Sequence, residues 1–380
     1  PTVLHAADYT EVLSVIDQYS PLLKASRQQM EADLRGNHTG NVPENPEFGF
    51  GYFWMIGNSA GQRVDFEASQ SFDFPSVYVY KSRMAKSNDS AVYYRFANER
   101  AQIMLQAQNL CVELIYNNAL MRILEQRLES ARKVASSYQE QLAQGGTSIL
   151  EANKAELNLL GVESEMAALQ AETDRLKSDL KRLTGGIEVN LSQVRFPDVV
   201  LPESFELWFA GIMGTNPLMQ QAMSESLAKE QNVKVNVSEA LPKFSVGYKG
   251  EDVFNDGFNG IAVGMSIPLW ENKNRVKQAR LESEAAQNRV LDVQWQLKAQ
   301  LETLYYKALR LQPVVNRYRE ALSALDNLPY IERALENGEF SLMDYLGELE
   351  YQFDMMEAYL QAERDLALSW SELRWVAGSL

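Results

Sequence analysis

The sequence predicts a mainly α-helical chain with a small β part, laid out as one unit repeated: helix, β-hairpin, long helix, returning helix. Three observations carry this. GGTSILE at 145–151 recurs as GEFSLMD at 338–344, a pattern of Gly, two residues, Ser, two apolar residues and an acid, at a spacing of 338 − 145 = 193. Both copies then run to a glycine, Gly185 and Gly378, through SDLKRLTG and SELRWVAG, so the ungapped echo covers 145–185 and 338–378. An echo of that length marks a duplicated structural unit. Upstream of each turn the pattern is first alternating and then heptad-spaced, the signatures of strand and long helix.

Composition narrows the function. A chain of 380 residues suits tandem copies of roughly 190 each. The formal charge of −15 and the lack of a Lys/Arg-rich run argue against nucleic acid as a partner, because phosphates need basic side chains. Cys111 is the one cysteine, which excludes an intrachain disulfide framework and a CxxC metal site and reads as a small core residue. No apolar run reaches the ~20 residues of a transmembrane helix, and Pro1 opens no charged-then-apolar leader. No enzyme chemistry, cofactor or metal is expected: His5 and His38 stand alone, the methionines are scattered, and there is no phosphate loop. The sequons at Asn37, Asn88 and Asn236 are short enough to arise by chance.

Residues 10–36 read as a helix containing Ser20-Pro21, and the second copy has Asn216-Pro217. Ser or Asn can cap free amides and Pro suits a first helical turn, so each pair predicts a bend or restart. The register here is 217 − 21 = 196, and it holds for Pro46 and Pro242, Phe48 and Phe244, and Tyr52 and Tyr248. Repeat one thus spans 1–185, with its hairpin at 47–75 and its coiled-coil hairpin at 81–185. A connector covers 186–203. Repeat two spans 204–380, with its hairpin at 243–269 and its coiled-coil hairpin at 271–378.

From Glu47 to Asp73 the period is two. Phe48, Phe50, Tyr52, Trp54 and Ile56 share one face; after a turn at Asn58 to Gly61, Val64, Phe66, Ala68, Phe72 and Phe74 face one way and Arg63, Asp65 and Glu67 the other. The second copy repeats this more weakly. Phe244, Val246 and Tyr248 precede a Gly/Asn/Asp-rich loop, then Ile261, Val263, Met265 and Ile267, so short strands are expected there. Pro75 and Pro268, 193 apart, stand at strand exits.

Long helices follow at about 81–143 and 271–336. Leu114, Met121, Leu128, Ala135 and Leu142 step by seven, with Leu124, Ala131 and Tyr138 between them; Val314, Ala321, Leu328 and Leu335, with Ala324 and Ile331, predict the second seam. Such a helix is roughly 90–100 Å long at 1.5 Å per residue. Pro313 and Pro329 fall in the second helix where the first has Leu120 and Ser136, and a mid-helix proline bends a helix. The turns at Gly145, Gly146, Thr147, Ser148 and at Gly338, Glu339, Phe340, Ser341 reverse each long helix, with glycine supplying positive φ.

A hairpin apolar on one face and charged on the other could be half of a soluble sandwich. Attached to helices of this length it has no second sheet to cover it, and strands of 9–11 residues can cross a bilayer tilted. Four strands cannot close a barrel and open edges cannot sit in lipid, so several chains must share one. Three chains give twelve strands and room for a lumen. The competing class is a soluble coiled-coil scaffold that binds partners through its helix faces.

The order and twofold occurrence of SPLL and NPLM, PEFGFGY and PKFSVGY, FDFP and SIPLW, with the turn and terminal motifs, resemble the TolC-type outer-membrane efflux proteins over nearly the whole chain. The resemblance implies a homotrimer with a twelve-strand barrel in outer-membrane lipid, a twelve-helix periplasmic α-barrel and a belt near the connector. It also implies export from an inner-membrane transporter through a periplasmic adaptor docking on the two glycine turns. Phe48, Phe50, Tyr52, Trp54, Phe66, Phe72, Phe74, Phe244, Val246, Ile261 and Val263 would then face lipid. Asp344 matches the acid that rings the channel entrance in the family. A second family acid is Gly347 here, with Glu348 beside it, and no N-terminal cysteine for lipid is present in this stretch.

Overall fold

The computed structural model describes residues 3–5, 9–56, 61–191, 194–253, 256–268, 270, 272–324 and 327–378. Strand β1 (Val3–His5) is followed by α1 (Tyr9–Tyr19), α2 (Pro21–Asn37), β2 (Glu47–Trp54), β3 (Gln62–Phe72), α3 (Pro75–Ala143) and α4 (Ile149–Leu183). After β4 (Glu188–Asn190) come α5 (Phe205–Ile212), α6 (Pro217–Glu239), β5 (Lys243–Val253), β6 (Asp256–Ser266), α7 (Arg275–Ala324), α8 (Leu328–Glu336) and α9 (Leu342–Ala377). The chain is mostly helical, with two small sheets. Its described residues divide into one compact unit of 1–26, 99–213 and 297–380, and another of 27–98 and 214–296.

The first unit is helical. Val12 and Ile16 of α1 bury against Met104, Ala107 and Cys111 of α3 and Leu176, Leu180 and Leu183 of α4. Burial pushes the Cys111 thiol up to about 12, so it packs as a small apolar group. Phe205 and Phe209 of α5 close a second core with Leu297, Leu301 and Leu304 of α7 and Leu373 of α9. Gly185 has φ +71°, and a Cβ there would meet the Tyr19 carbonyl at 2.8 Å, so the chain can turn only on glycine beside α1. The parallel pairing of β1 with β4 has no counterpart in the sequence-based reading, because three-residue strands carry no period.

The seam expected for the second long helix is displaced. Leu114, Leu124, Leu128, Ala131 and Ala135 are buried in α3 as their spacing predicts, but Val314 and Ala321 are exposed. Leu301, Ala308 and Val315 form the buried seven-step instead. α7 ends at Ala324 and α8 restarts at Leu328, and Ile331 is buried 331 − 315 = 16 residues after Val315 rather than two heptads later, so the two helices do not share one heptad register. The side chains of Ala324 and Leu328 lie outside the described residues. Pro313 is inside α7, whereas Pro329 occupies the first turn of α8, where proline costs no hydrogen bond; Pro329 therefore begins a helix and does not kink one.

The N-terminal restarts also differ. Asn216 caps α6, its Oδ1 accepting from the Met219 amide at 3.1 Å. Ser20 does not cap: its hydroxyl is buried with no hydrogen-bond partner among the described residues, while its own amide donates to Ile16 and its carbonyl accepts from Lys24. Ser20 is the one non-helical residue between α1 and α2, so the chain restarts at Pro21 as the Ser-Pro pair predicts, but without a side-chain cap.

The second unit carries a four-stranded antiparallel sheet in the order β2-β3-β5-β6. Both hairpins join through β3 and β5, and β2 and β6 are its edges. The second hairpin is not short. β5 and β6 have 11 residues each against 8 in β2, because the Gly/Asn/Asp-rich stretch pairs residue for residue, from Tyr248 with Ile261 to Val253 with Asp256. Continuous ladder hydrogen bonds on both sides of β5 overcome the poor strand propensity of Gly250 and Gly257. Ile56 and Phe74 fall just outside the strands, and the turn predicted at Asn58 to Gly61 lies, except for Gly61, outside the described residues. At the helix-side end Asp73 stands between Lys81 (3.7 Å) and Lys243 (3.2 Å), and Lys81 also reaches Glu239 at 3.2 Å, tying β3, β5, α3 and α6 together.

Candidate functional site

Strand register decides which side chains share a face. Phe48 pairs with Ala68, Phe50 with Phe66 and Tyr52 with Val64; Phe72 pairs with Phe244, Ala68 with Tyr248, Val246 with Val263 and Tyr248 with Ile261. Side chains of paired residues point the same way, so these residues and Trp54 form one largely apolar face across all four strands, interrupted by Gln62, Gln70, Asp252 and Asn259. That face is open to solvent: Phe48 and Phe50 are each 74% exposed and Ile261 80%, where a soluble sheet would bury them. Phe66, Phe72, Phe244, Val246 and Val263 are exposed with them, and Phe74, half-buried, lies 6.4 Å from Phe244 ring to ring.

The opposite face holds Asp65 against Glu251 and Glu67 against Lys249. Arg63 donates to Asp65 at 2.7 Å and meets Glu251 at 3.0 Å, and Lys249 meets Glu67 at 2.9 Å. Elsewhere this face is mostly Gly, Ala and Ser. Phe53, opposite Arg63, Val253, opposite Asp256, and Phe258, opposite Glu251, are its apolar exceptions; the two phenyl rings were missed in the sequence, although the odd parity of 53 against 48–54 places Phe53 there. The edges β2 and β6 pair with nothing among the described residues.

The two glycine turns have one backbone. Gly145 and Gly338 have φ of +76° and +73°; the amides of Gly146 and Glu339 each close back on a carbonyl of the preceding helix, Gln141 at 2.7 Å and Ala334 at 2.8 Å. Ser148 then caps α4 by accepting from the Glu151 amide at 3.3 Å. Ser341 caps α9 more fully: its Oγ accepts from the Asp344 amide at 3.2 Å, and the Asp344 carboxylate takes bonds from the Ser341 hydroxyl (2.6 Å) and amide (3.2 Å). These bonds hold the Asp344 carboxyl below the usual aspartate range. Thr147 is half-buried, and Phe340 packs on the core below its turn.

Asp344 and Glu348 lie one helical turn apart on the exposed side of α9, with Gly347 between them. The other side buries Leu342, Tyr345, Leu349 and Phe353 against Val134 and Ala135 of α3, Ala155 of α4 and Ile331 of α8. Burial pushes the Tyr345 hydroxyl up to about 12. The structure thus brings the two acids together, separates them from Pro313, and places Pro329 in the helix just ahead of the second turn. Among the described residues no cluster of three His, Cys, Asp or Glu side chains could hold a metal, and no helix is long and apolar enough to cross a membrane.

An open sheet apolar on one face, joined to duplicated antiparallel helical hairpins, is the fold of the TolC-type outer-membrane channels. The solved structures that share it include CusC, studied for folding and transmembrane channel formation (TM-score 0.80, 15% identity, 97% of this chain and 91% of that one). They also include the outer-membrane protein VceC of Vibrio cholerae (0.78, 14%, 97% and 96%) and the CmeC outer-membrane channel of Campylobacter jejuni (0.77, 16%, 97% and 85%). At such identities the likeness is one of fold. No family model matches the sequence, and no curated protein does.

Proposed function

We propose that this chain is one protomer of a trimeric outer-membrane channel that conducts substrates passively from the periplasm to the exterior. The observation that carries the reading is the sheet: most of its apolar face is exposed and, among the described residues, both its edges are unpaired, which in lipid requires neighbouring strands from other copies. Three copies would close twelve strands, with the charged and small side chains inward, and would continue into a twelve-helix α-barrel in the periplasm. A conduit of this kind needs no catalytic group. A soluble scaffold does not account for so large an apolar surface.

The two glycine turns would form the periplasmic rim where an adaptor docks beneath an inner-membrane transporter. Asp344 and Glu348 would stand at that entrance, three copies of each making an acidic ring that favours cations. In the same reading Pro313 leans α7 inward and opening straightens it.

The test is extraction in detergent, mass measurement and single-channel recording in planar bilayers. A trimer with conducting steps is expected. A freely soluble single chain that gives no channels would refute the reading. Within it, Asp344→Asn should lower cation preference; unchanged selectivity would remove that residue from the constriction.

A further inference from the structure

The charged face of the sheet carries two phenyl rings that its alternation does not call for. Phe53 is next to last in β2 and Phe258 is third in β6, so both lie at the hairpin-tip end, beside Arg63 and Glu251. Towards the helices the same face tapers to residues such as Gly247, Ala262 and Ser71. Phe53 has a packing reason, since its ring covers the bare backbone of Gly51, where a Cβ would meet it at 2.7 Å, and the Arg63 guanidinium lies 5.7 Å from its centre. Even so it is 54% exposed. Phe258 has no such reason. It is 72% exposed, and a Cβ on Gly260 would have nothing within 4 Å, so the ring is not folded over that glycine.

The charges around these rings are unequal. Glu47, Asp65, Glu67, Glu251 and Asp256 share the face with Arg63, Lys243 and Lys249, an excess of 5 − 3 = 2 acids per chain. On the trimeric-barrel reading, on which this inference rests, that face lines the water path and its tip end is the outer mouth. We propose that Phe53 and Phe258 of the three copies form an aromatic contact site in that mouth for cargo joining a cationic group to an apolar or aromatic body. Ring faces attract a cation and offer area to its apolar part, while the acid excess turns away an anion of the same shape.

The test uses the full chain in planar bilayers carrying potassium chloride, with three probes added on the hairpin-tip side: benzyltrimethylammonium, tetramethylammonium and benzenesulfonate. Benzyltrimethylammonium is expected to block the potassium current at the lowest concentration. Phe53→Ser with Phe258→Ser should raise its half-blocking concentration about two- to fivefold per ring while potassium conductance is kept. Phe258→Ser alone, at the more exposed of the two positions, should show one ring's share. Equal block by the three probes, or block unchanged in both variants, would overturn the proposal while leaving the channel standing. A wild-type chain that is single and non-conducting removes the barrel reading and this site together.

Discussion

The two long helical hairpins follow one plan, and they differ in the continuity of their first helix. In the first, α3 runs 69 residues without an internal proline, and Leu120 and Ser136 continue it. In the second, the corresponding stretch holds Pro313, ends α7 at Ala324, and restarts at Pro329 in α8. The turns that follow are nearly superimposable in φ and hydrogen bonding, yet the second has a two-way capping box where the first has a single bond. A duplicated turn is held by local backbone geometry, so it survives divergence. A heptad seam is a contact between distant residues, and α7 and α8 do not share one register.

Four experiments would break or sharpen that contrast. The largest effect is expected at the displaced seam. Leu301→Ala removes a fully buried side chain and should cost about 2–5 kcal/mol, while Val314→Ala, on the face the heptad count would have buried, should stay within about 0.5 kcal/mol. Thermal unfolding of the two variants in detergent decides it, and equal losses would restore the original seam.

The prolines should act with opposite signs. Pro313→Ala restores an interior hydrogen bond and should stabilise by up to about 3 kcal/mol, whereas Pro329→Ala, at a helix start that suits proline, should cost about 0.4–1 kcal/mol. Unfolding temperature reads the sign. Single-channel conductance of Pro313→Ala tests whether the bend also sets the entrance, and an unchanged conductance makes it a fixed kink.

The caps come next. Ser341→Ala loses both arms of its box and should speed amide hydrogen exchange in the first turn of α9, by about 1 kcal/mol in protection; Ser148→Ala, losing one longer bond, should do less to α4. Equal acceleration at both turns would mean the second arm adds nothing.

The smallest effect is a pair of opposed pH slopes. The folded-state pKa of Asp344 is depressed by its bonds to Ser341, so its support of α9 is complete above the ordinary aspartate range and is lost as pH falls through the depressed value. Glu113 of α3 is half-buried, and that burial raises its carboxyl despite Arg364 at 4.0 Å. Its folded form holds a proton longer than the unfolded chain does, so stability falls as pH rises from the ordinary glutamate range through the raised value. Asp344→Asn should erase the first slope and Glu113→Gln the second. Carboxyl chemical shifts followed by NMR would show two shifts of one sign if either assignment is wrong.

Much of the element order was legible because its signals are local. Alternation at Phe48 to Trp54, seven-steps from Leu114 to Ala135, and glycines at positive φ each concern residues within a few positions of one another. Where partners come from far along the chain, the sequence misled. Ser20 looks as good a cap as Asn216, but its hydroxyl caps nothing where α2 restarts; residues 249–253 look like the start of a loop, but β3 and β6 hold them in the sheet from both sides. The two acids at the second turn were visible, while the engagement of Asp344 with Ser341 depended on a rotamer that no spacing reveals.

By itself, then, the sequence determined the duplicated order of helix, hairpin and coiled coil, the one-sided strands and the position of each reversal, since these follow from backbone preference and short-range period. The tertiary structure alone decided which heptad face of α7 is buried and that β3 and β5 join the two hairpins into one sheet. The first outcome depends on packing against α5 and α9 and the second on pairs such as Arg63 with Val253, far apart in the chain, whose gain in buried surface and ladder pairing exceeds local preference.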